Sequence, residues 1–142
     1  MRLHKTVTVE RSLEEVFSYL SDFTTTTEWD PGTVKTIRIA GDGAVGTEYL
    51  NTSTFASRET QLIYIVHELV PNQRIALRGE NKTVIAHDTM TFQTSGSGTE
   101  VTYTADFTFK GFTRFLAPLL KPAVWRLGNQ AEVGMRQALT RR

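Results

Sequence analysis

The hydrophobic residues follow two different patterns in two parts of the chain. From Thr47 to Phe109, short stretches alternate between apolar and polar residues and are separated by turn residues, which is typical of antiparallel strands. From Phe112 onwards, apolar residues recur every three or four positions, which predicts one long amphipathic helix. They are Phe115, Leu116, Leu119, Leu120, Ala123, Val124, Leu127, Ala131, Ala138 and Leu139. Together the two patterns predict an α+β fold in which a single helix covers a curved antiparallel sheet.

The first forty residues predict a strand, two short helices and a second strand. Residues 3–10 alternate as a strand does, and Ser12 opens the capping-box sequence Ser-Leu-Glu-Glu, which starts a helix. A short second helical turn is expected over 24–27 and must stop before Pro31. Residues 34–39 form the second predicted strand. Five more strands are expected at about 46–56, 60–70, 74–80, 83–94 and 100–109, so the sheet has seven.

Two-residue turns between the last five strands lead to specific register predictions. The predicted turn centres are Ser57-Arg58, Asn72-Gln73, Asn81-Lys82 and Gly96-Ser97. The predicted pairs are Tyr49 with Val66, Val70 with Ile75, Leu77 with Ala86, Asp88 with Ala105, and Met90 with Tyr103. Because successive residues of a strand face opposite sides of the sheet, these registers place one set of side chains on the concave face.

The predicted concave face mixes aromatic and aliphatic side chains with polar ones. It contains Tyr49, Asn51, Ser53, Phe55, Leu62, Tyr64, Val66, Glu68, Leu77, Ala86, Asp88, Met90, Phe92, Tyr103, Ala105 and Phe107. A dry core would not hold two unpaired carboxylates, because burying a charge costs free energy. We therefore interpret this face as the wall of a partly wet cavity in which a few polar groups orient a ligand. The alternative is that Glu68 is solvated at a strand end, or that the register is off by one.

Three further features bear on a cavity. Trp29, in the sequence Trp-Asp-Pro-Gly, either closes a pocket wall or fills the core under a turn. Ile63 and Ile65 fall on the outer face, as a minor patch or a dimer contact. In a meander alternate turns share an end, so the turns near 57–58 and 81–82 lie beside the start of the last helix. We predict that this end is the mouth of the cavity and its more mobile end.

Composition removes several classes of function. The chain has 142 residues, which predicts a single domain over residues 1–142. It has no cysteine, so disulfides and thiolate chemistry are excluded. Its three histidines lack the spacing of metal ligands, and neither a metal nor another cofactor is expected. A net charge of +1 does not favour nucleic-acid binding. No apolar stretch suits a secretory signal or a membrane span, so we expect a cytoplasmic protein that is not integral to a membrane.

Several local motifs resemble one family over essentially the whole chain. Residues 9–17, Val-Glu-Arg-Ser-Leu-Glu-Glu-Val-Phe, resemble its opening strand followed by E-x-V-F. Residues 29–32 and 45–47 resemble its W-x-P-G and V-G-T motifs, and residues 66–71 resemble its V-x-E-x-x-P strand end. The chain thus resembles the START-like superfamily, also called SRPBCC or birch-pollen-allergen-like, and within it the polyketide cyclase/dehydrase and lipid transport branch. The resemblance implies a helix-grip fold with an apolar cavity between sheet and last helix. Members bind lipids, sterols, polyketides, quinones or plant hormones, and some cyclise or hydrolyse their ligands.

We derive three hypotheses from the residues and the resemblance. The first is binding of a hydrophobic small molecule by a monomer or weak homodimer, with contacts from Trp29, Tyr49, Asn51, Phe55, Tyr64, Asp88, Met90, Phe92, Tyr103, Phe107, Phe115 and Leu119. The second is a cyclase or dehydratase with Asp88 or Glu68 as general base and Tyr103 or Tyr64 as proton donor; the lack of an inner-face arginine argues against it. The third is a protein-interaction module that uses Ile63 and Ile65.

Overall fold

The computed structural model describes residues 1–141 of the chain. Its seven strands form one antiparallel sheet in the order β1-β7-β6-β5-β4-β3-β2. The strands are β1 Arg2–Val9, β2 Thr33–Ala40, β3 Glu48–Phe55, β4 Arg58–Val70, β5 Arg74–Glu80, β6 Val84–Ser95 and β7 Gly98–Phe109. The helices are α1 Leu13–Ser21, α2 Thr26–Trp29 and α3 Thr113–Arg141, with a 3₁₀ turn at Phe23–Thr25. The predicted helix-grip architecture is confirmed, including the short helices between the first two strands.

The capping box at the start of α1 is formed as predicted. The Ser12 hydroxyl accepts from the Glu15 backbone N–H at 3.2 Å and donates to the Glu15 carboxylate at 3.1 Å. The first bond satisfies one of the backbone donors at the start of the helix, and the second joins the two side chains. The helix then buries Val16 and Leu20 completely, so α1 closes the core at one end of the concave face.

One of the four predicted registers is confirmed. Strands β6 and β7 pair Met90 with Tyr103 and Asp88 with Ala105. The Gly96-Ser97 turn therefore sets the longest hairpin of the sheet as its sequence indicates.

Two other registers are wrong by two residues, which preserves the facing of each side chain. The β3–β4 turn is Ala56-Ser57, both with positive φ, so Tyr49 pairs with Tyr64. The β5–β6 connection spans three residues, because Asn81 Oδ1 accepts from the backbone N–H groups of Thr83 and Val84. Leu77 consequently pairs with Asp88 rather than with Ala86.

The fourth prediction, at β4–β5, is wrong because the turn spans three residues, 71–73, and because β4 contains a bulge. The register shifts between Val66 and Glu68, and Val70 pairs with Arg74 instead of Ile75. Residues 67 and 68 are both exposed, and Leu69 packs against the core. A bulge puts two residues opposite one, which reverses the facing of everything after it. Glu68 thus lies on the surface in an ion pair with Arg74, and its predicted place on the concave face is wrong.

The two halves of α3 differ in their packing. The helix packs against β1 and α2. Five of its six buried residues lie in the second half, and the sixth, Val124, lies in the first. The five are Gly128, Ala131, Met135, Ala138 and Leu139. Close contact is possible because Gly134 has no side chain: a Cβ there would lie 1.9 Å from the carbonyl oxygen of Trp29. In the first half, by contrast, the side chains of Phe115 and Leu119 are 67% and 76% exposed.

The outer face of the sheet has an apolar area near its β2 edge. Ile63 and Ile65 are exposed there, as predicted. Ile37 of β2 is also exposed, and Leu50 lies between Ile37 and Ile63 in the cross-strand register. Within residues 1–141, no helix is both long enough and apolar enough to cross a membrane.

Candidate ligand-binding site

A groove lies between the first half of α3 and the turn that joins β3 to β4. Its volume is about 510 Å³. Phe55 contributes from the sheet, and Leu119, Pro122 and Leu127 contribute from the helix. The groove lies at the end of the sheet that the sequence predicts as the mouth, because β3 and β7 both finish there.

The structure divides the predicted contact residues between this groove and the interior. Phe55 and Leu119 line the groove, and Phe115 is exposed one helical turn before Leu119. Three inward-facing residues are only half-buried, namely Phe55, Tyr103 and Phe107. The remaining predicted residues are buried in the interior and are Trp29, Tyr49, Asn51, Tyr64, Asp88, Met90 and Phe92.

Two of the buried aromatic residues pack within the closed part of the core. The ring of Phe92 meets that of Phe17 edge to face, with 5.1 Å between the centroids. The ring of Tyr49 lies 5.8 Å from that of Phe23. Because α1 and the 3₁₀ turn cover both residues, their role in this structure is packing.

Asp88 and Tyr103 form the central polar pair of the interior. The Tyr103 hydroxyl donates to Asp88 Oδ2 at 2.9 Å. Asp88 is 4% exposed, and its Oδ1 is buried without a hydrogen-bond partner. Burial raises the pKa of Asp88 to about 7, with a smaller contribution from the charge of Asp30, while the Tyr103 hydrogen bond opposes the rise. The carboxyl group therefore titrates near neutral pH.

Trp29 is the second buried group with an unused polar atom. It is 2% exposed, and its Nε1–H has no hydrogen-bond partner. Its ring stands edge-on to the ring of Tyr103, with 5.9 Å between the centroids. Of the two sequence interpretations, the structure supports the buried position under α3, and it adds that the ring borders the Asp88–Tyr103 pair.

Tyr64 is held against the backbone of the neighbouring strand. A Cβ on Gly79 would lie 2.6 Å from a carbon of the Tyr64 ring, so only glycine leaves room for the ring. Burial raises the pKa of Tyr64 well above its ordinary value, and the charges of Asp88 and Asp30 add to the effect. The sequence analysis missed Gly79, although a glycine inside a strand is a known sign of close approach.

Asn51 belongs to a chain of hydrogen bonds that ties β3 to β2 and α2. Its Nδ2 donates to Thr36 at 2.8 Å, and its Oδ1 accepts from Ser53 at 2.6 Å. The hydroxyls of Thr36 and Thr26 are 2.6 Å apart. Because both ends of the Asn51 amide have protein partners, the geometry gives Asn51 a structural role, and its ligand contact stays a prediction.

Asp30 was also missed by the sequence analysis as part of the interior. Its carboxylate accepts from the Gly32 backbone N–H at 3.0 Å and from the Thr33 hydroxyl at 3.1 Å. Burial raises its pKa, and these hydrogen bonds oppose the rise. Its position after Trp29, as an Asp before Pro-Gly, resembled only a turn signal in the sequence.

Cations near these acids are already engaged elsewhere. Among residues 1–141, no salt bridge includes Asp30 or Asp88. Lys5, which pairs with Tyr103 across β1 and β7, directs its amine to Asn129 at 2.6 Å and Glu132 at 3.5 Å. The same part of the chain contains no cluster of three potential metal-ligating side chains.

Comparison with known proteins identifies the family. Residues 1–140 match the family described as polyketide cyclase/dehydrase and lipid transport. The chain belongs to this family. No curated protein matches the sequence significantly.

Several solved structures share the fold. The Zhui aromatase/cyclase from Streptomyces sp. R1128 superimposes with a TM-score of 0.82 at 18% identity, covering 97% of this chain and 92% of that one. The protein TTHA0849 from Thermus thermophilus gives 0.81 at 13% identity, with coverages of 96% and 95%. A START superfamily protein from Mycobacterium smegmatis gives 0.72 at 19% identity, with coverages of 98% and 99%. At these identities the likeness establishes the fold alone.

Proposed function

We propose that the protein binds a small hydrophobic molecule between the sheet and the first half of α3. The observation that carries this proposal is the exposed apolar surface at the groove. Leu119 is largely exposed on the helix side, and Phe55 is half-buried on the sheet side. Apolar side chains that flank a concave surface without covering one another commonly mark a ligand-binding groove. The family description, which includes lipid transport, supports the same function.

The size of the groove also supports a small ligand. A volume of about 510 Å³ lies within the roughly 300–1,000 Å³ of most small-molecule sites. Burial of apolar surface contributes about 25 cal/mol per Å², so an apolar ligand gains most of its affinity from this contact. Polar groups then orient it, and the Asp88–Tyr103 pair is the proposed orienting element.

Native mass spectrometry of the protein purified from its own host, followed by organic extraction, tests this proposal. We expect a bound apolar molecule of defined mass. The informative variant is Leu119→Asp, because Leu119 lines the groove and its exposure makes the change tolerable for folding. Val133→Asp is the matched control, since Val133 is 51% exposed on the same helix and does not line the groove. Equal retention of the molecule by both variants would contradict the proposed site.

A second candidate function is cyclisation or dehydration of a polyketide-like substrate. The observation that favours it is Asp88, whose pKa is raised by burial to about 7, since a general base works best with a pKa near the operating pH. The Tyr103 hydroxyl donates a hydrogen bond to Asp88 Oδ2, so Tyr103 would orient the base. Glu68 is unsuitable as the base, because it pairs with Arg74 on the outer surface.

Turnover of a poly-β-ketone thioester distinguishes the second candidate from binding alone. If Asp88 is the base, Asp88→Asn abolishes product formation and Glu68→Gln leaves it unchanged. A wild-type protein that binds the thioester and releases it unaltered would rule out the enzymatic function for this substrate class.

A further inference from the structure

Two buried polar atoms without hydrogen-bond partners belong to residues that contact Tyr103. One is Asp88 Oδ1, on the residue whose other oxygen accepts from the Tyr103 hydroxyl. The other is Trp29 Nε1, on the ring that stands edge-on to Tyr103. Buried polar groups are nearly always hydrogen-bonded, and leaving one unpaired costs free energy. An acceptor and a donor are therefore both available on residues that border the same tyrosine.

The chemistry of these two atoms points to one functional group. An Asp88 oxygen needs a donor, and an indole N–H needs an acceptor. A hydroxyl group supplies both. We propose that the interior end of the site binds a hydroxyl group of an uncharged ligand, with Asp88 Oδ1 and Trp29 Nε1 as its hydrogen-bond partners. This inference rests on the proposed function and specifies the class of ligand.

The charges around the site disfavour an anionic ligand. Asp88 from β6 and Asp30 after α2 are the acids of this interior, and neither has a salt-bridge partner among residues 1–141. Tyr64 from β4 and Tyr103 from β7 stay neutral, because burial raises the pKa of each well above its ordinary value. A carboxylate or phosphate would meet acids without a compensating cation, and burying such a charge is costly.

Of the cations on the remaining packed elements, Arg126 of α3 is exposed and lines the groove, and Lys5 and Arg2 have partners of their own. Lys5 on β1 is held by Asn129 and Glu132 of α3. Asp106 of β7 is paired with Arg2 at the surface, with 2.7 Å between Nε and Oδ1. A hydroxyl suits Asp88 in both protonation states, since it can donate to a carboxylate and accept from a carboxylic acid.

Tyr103 connects this interior end with the groove. It is half-buried and packs against both hydrophobic clusters of the protein. The larger cluster contains Trp29, and the smaller one contains Val124 of α3 with Phe55 packed against it. Tyr103 is thus the residue through which a ligand seated beside Phe55 would have to approach the polar pair.

Four naphthalene probes of matched shape test the inference with the wild-type protein. They are naphthalene, 2-naphthol, 2-methoxynaphthalene and 2-naphthoate, and their dissociation constants are measured by fluorescence titration at pH 7. We expect 2-naphthol to bind about tenfold more tightly than naphthalene, the gain expected from one or two satisfied hydrogen bonds. The methyl ether can accept but cannot donate, so it should lose much of this gain. We expect 2-naphthoate to bind more weakly than naphthalene.

Two variants test whether the preference for 2-naphthol over naphthalene depends on the indole N–H of Trp29. Trp29→Phe removes the N–H and keeps an aromatic ring, so the preference for 2-naphthol should shrink several-fold. Trp125→Phe is the control, because Trp125 is exposed on α3, and it should leave the preference unchanged. The probe comparison in wild-type protein does not depend on the folding of either variant.

The outcomes separate this inference from the proposed function. Equal affinities for naphthalene and 2-naphthol, or tightest binding of 2-naphthoate, would overturn the hydroxyl site while leaving hydrophobic binding in place. Failure of all four probes to bind would also overturn it, and extraction of a bound apolar molecule from the native protein would then show that the proposed function stands without it.

Discussion

The two halves of α3 differ in their packing. The second half covers the hydrophobic core, and the first half lies beside an open groove. The second half packs through small residues, and Gly134 brings its backbone against the carbonyl of Trp29. The first half carries larger apolar residues, such as Phe115 and Leu119, that remain exposed beside the groove. The comparison shows that apolar character and size do not by themselves determine where the helix packs, since Met135 and Leu139 are buried while Leu119 is exposed.

This difference separates the densely packed part of the molecule from the proposed binding part. Around the second half, Leu20, Ile75 and Met135 are at most 1% exposed, so this end has the dense contacts that resist local opening. Around the first half, the flanking side chains have few neighbours. The groove can thus admit a ligand without disturbing the closed end.

The largest expected effect concerns Asp88, which lies between the two ends. Its pKa is raised by burial from 3.8 to about 7 in the folded protein. Between these values the folded state holds more protons than the unfolded state, so stability decreases as pH rises from about 4 to 7 and then levels off. Three pKa units correspond to roughly 4 kcal/mol, of which roughly 3 kcal/mol falls between pH 5 and pH 8. Asp88→Asn should remove most of this pH dependence, as measured by urea unfolding at pH 5 and pH 8.

The Asp88→Asn variant also provides an internal control for the pH dependence. Asp30, whose pKa burial also raises, is retained in the variant and should leave a small residual slope of the same sign. If wild-type stability instead increased between pH 5 and pH 8, then Asp88 would be ionised in the folded protein at acidic pH, and the interior would be better hydrated than its burial indicates.

The next largest effect on stability is expected at Gly134, in the tightly packed second half of α3. Gly134→Ala places a Cβ 1.9 Å from a backbone oxygen, and backbone atoms cannot move aside cheaply. We expect a loss of about 3 kcal/mol in the free energy of unfolding. Gly128→Ala meets the end of the Leu3 side chain at 2.8 Å, which can rotate, so its loss should be clearly smaller. Equal losses would show that the closed end is less tightly packed than the contact implies.

The sequence predicts the frame of the molecule better than the site. Element order, the capping box and the β6–β7 register follow from local patterns, because each depends on residues close together in the chain. The β4 bulge does not, since no residue near Val66 signals it, and this bulge is what moves Glu68 to the surface. The concave placement of Asp88 and Tyr103 is predicted because the hairpin that carries both has a clear turn.

The limits of the site prediction have a similar cause. Phe115 and Leu119 follow helical spacing, which predicts a packed face, but spacing does not say which turns of a long helix reach the sheet. The interior role of Asp30 depends on how α2 and β2 fold over it, and that is a tertiary arrangement. Asn51 was identified as inward-facing, yet its partners Thr36 and Ser53 become visible only when β2 is placed beside β3.

The smallest expected effect on stability concerns Phe115, in the exposed first half of α3. It tests the difference in packing between the two halves of the helix directly. Phe115→Ser removes a large apolar side chain that is 67% exposed. The Arg114 guanidinium lies over its ring, 4.8 Å from the centroid. An exposed cation–π contact contributes about 0.5 kcal/mol, so the free energy of unfolding should change by no more than that. Met135→Ala in the closed half should cost roughly 2–5 kcal/mol, as measured in the same urea titration. A loss for Phe115→Ser close to that of Met135→Ala would mean that the first half of α3 packs against the sheet in solution, and that the groove is closed until a ligand opens it.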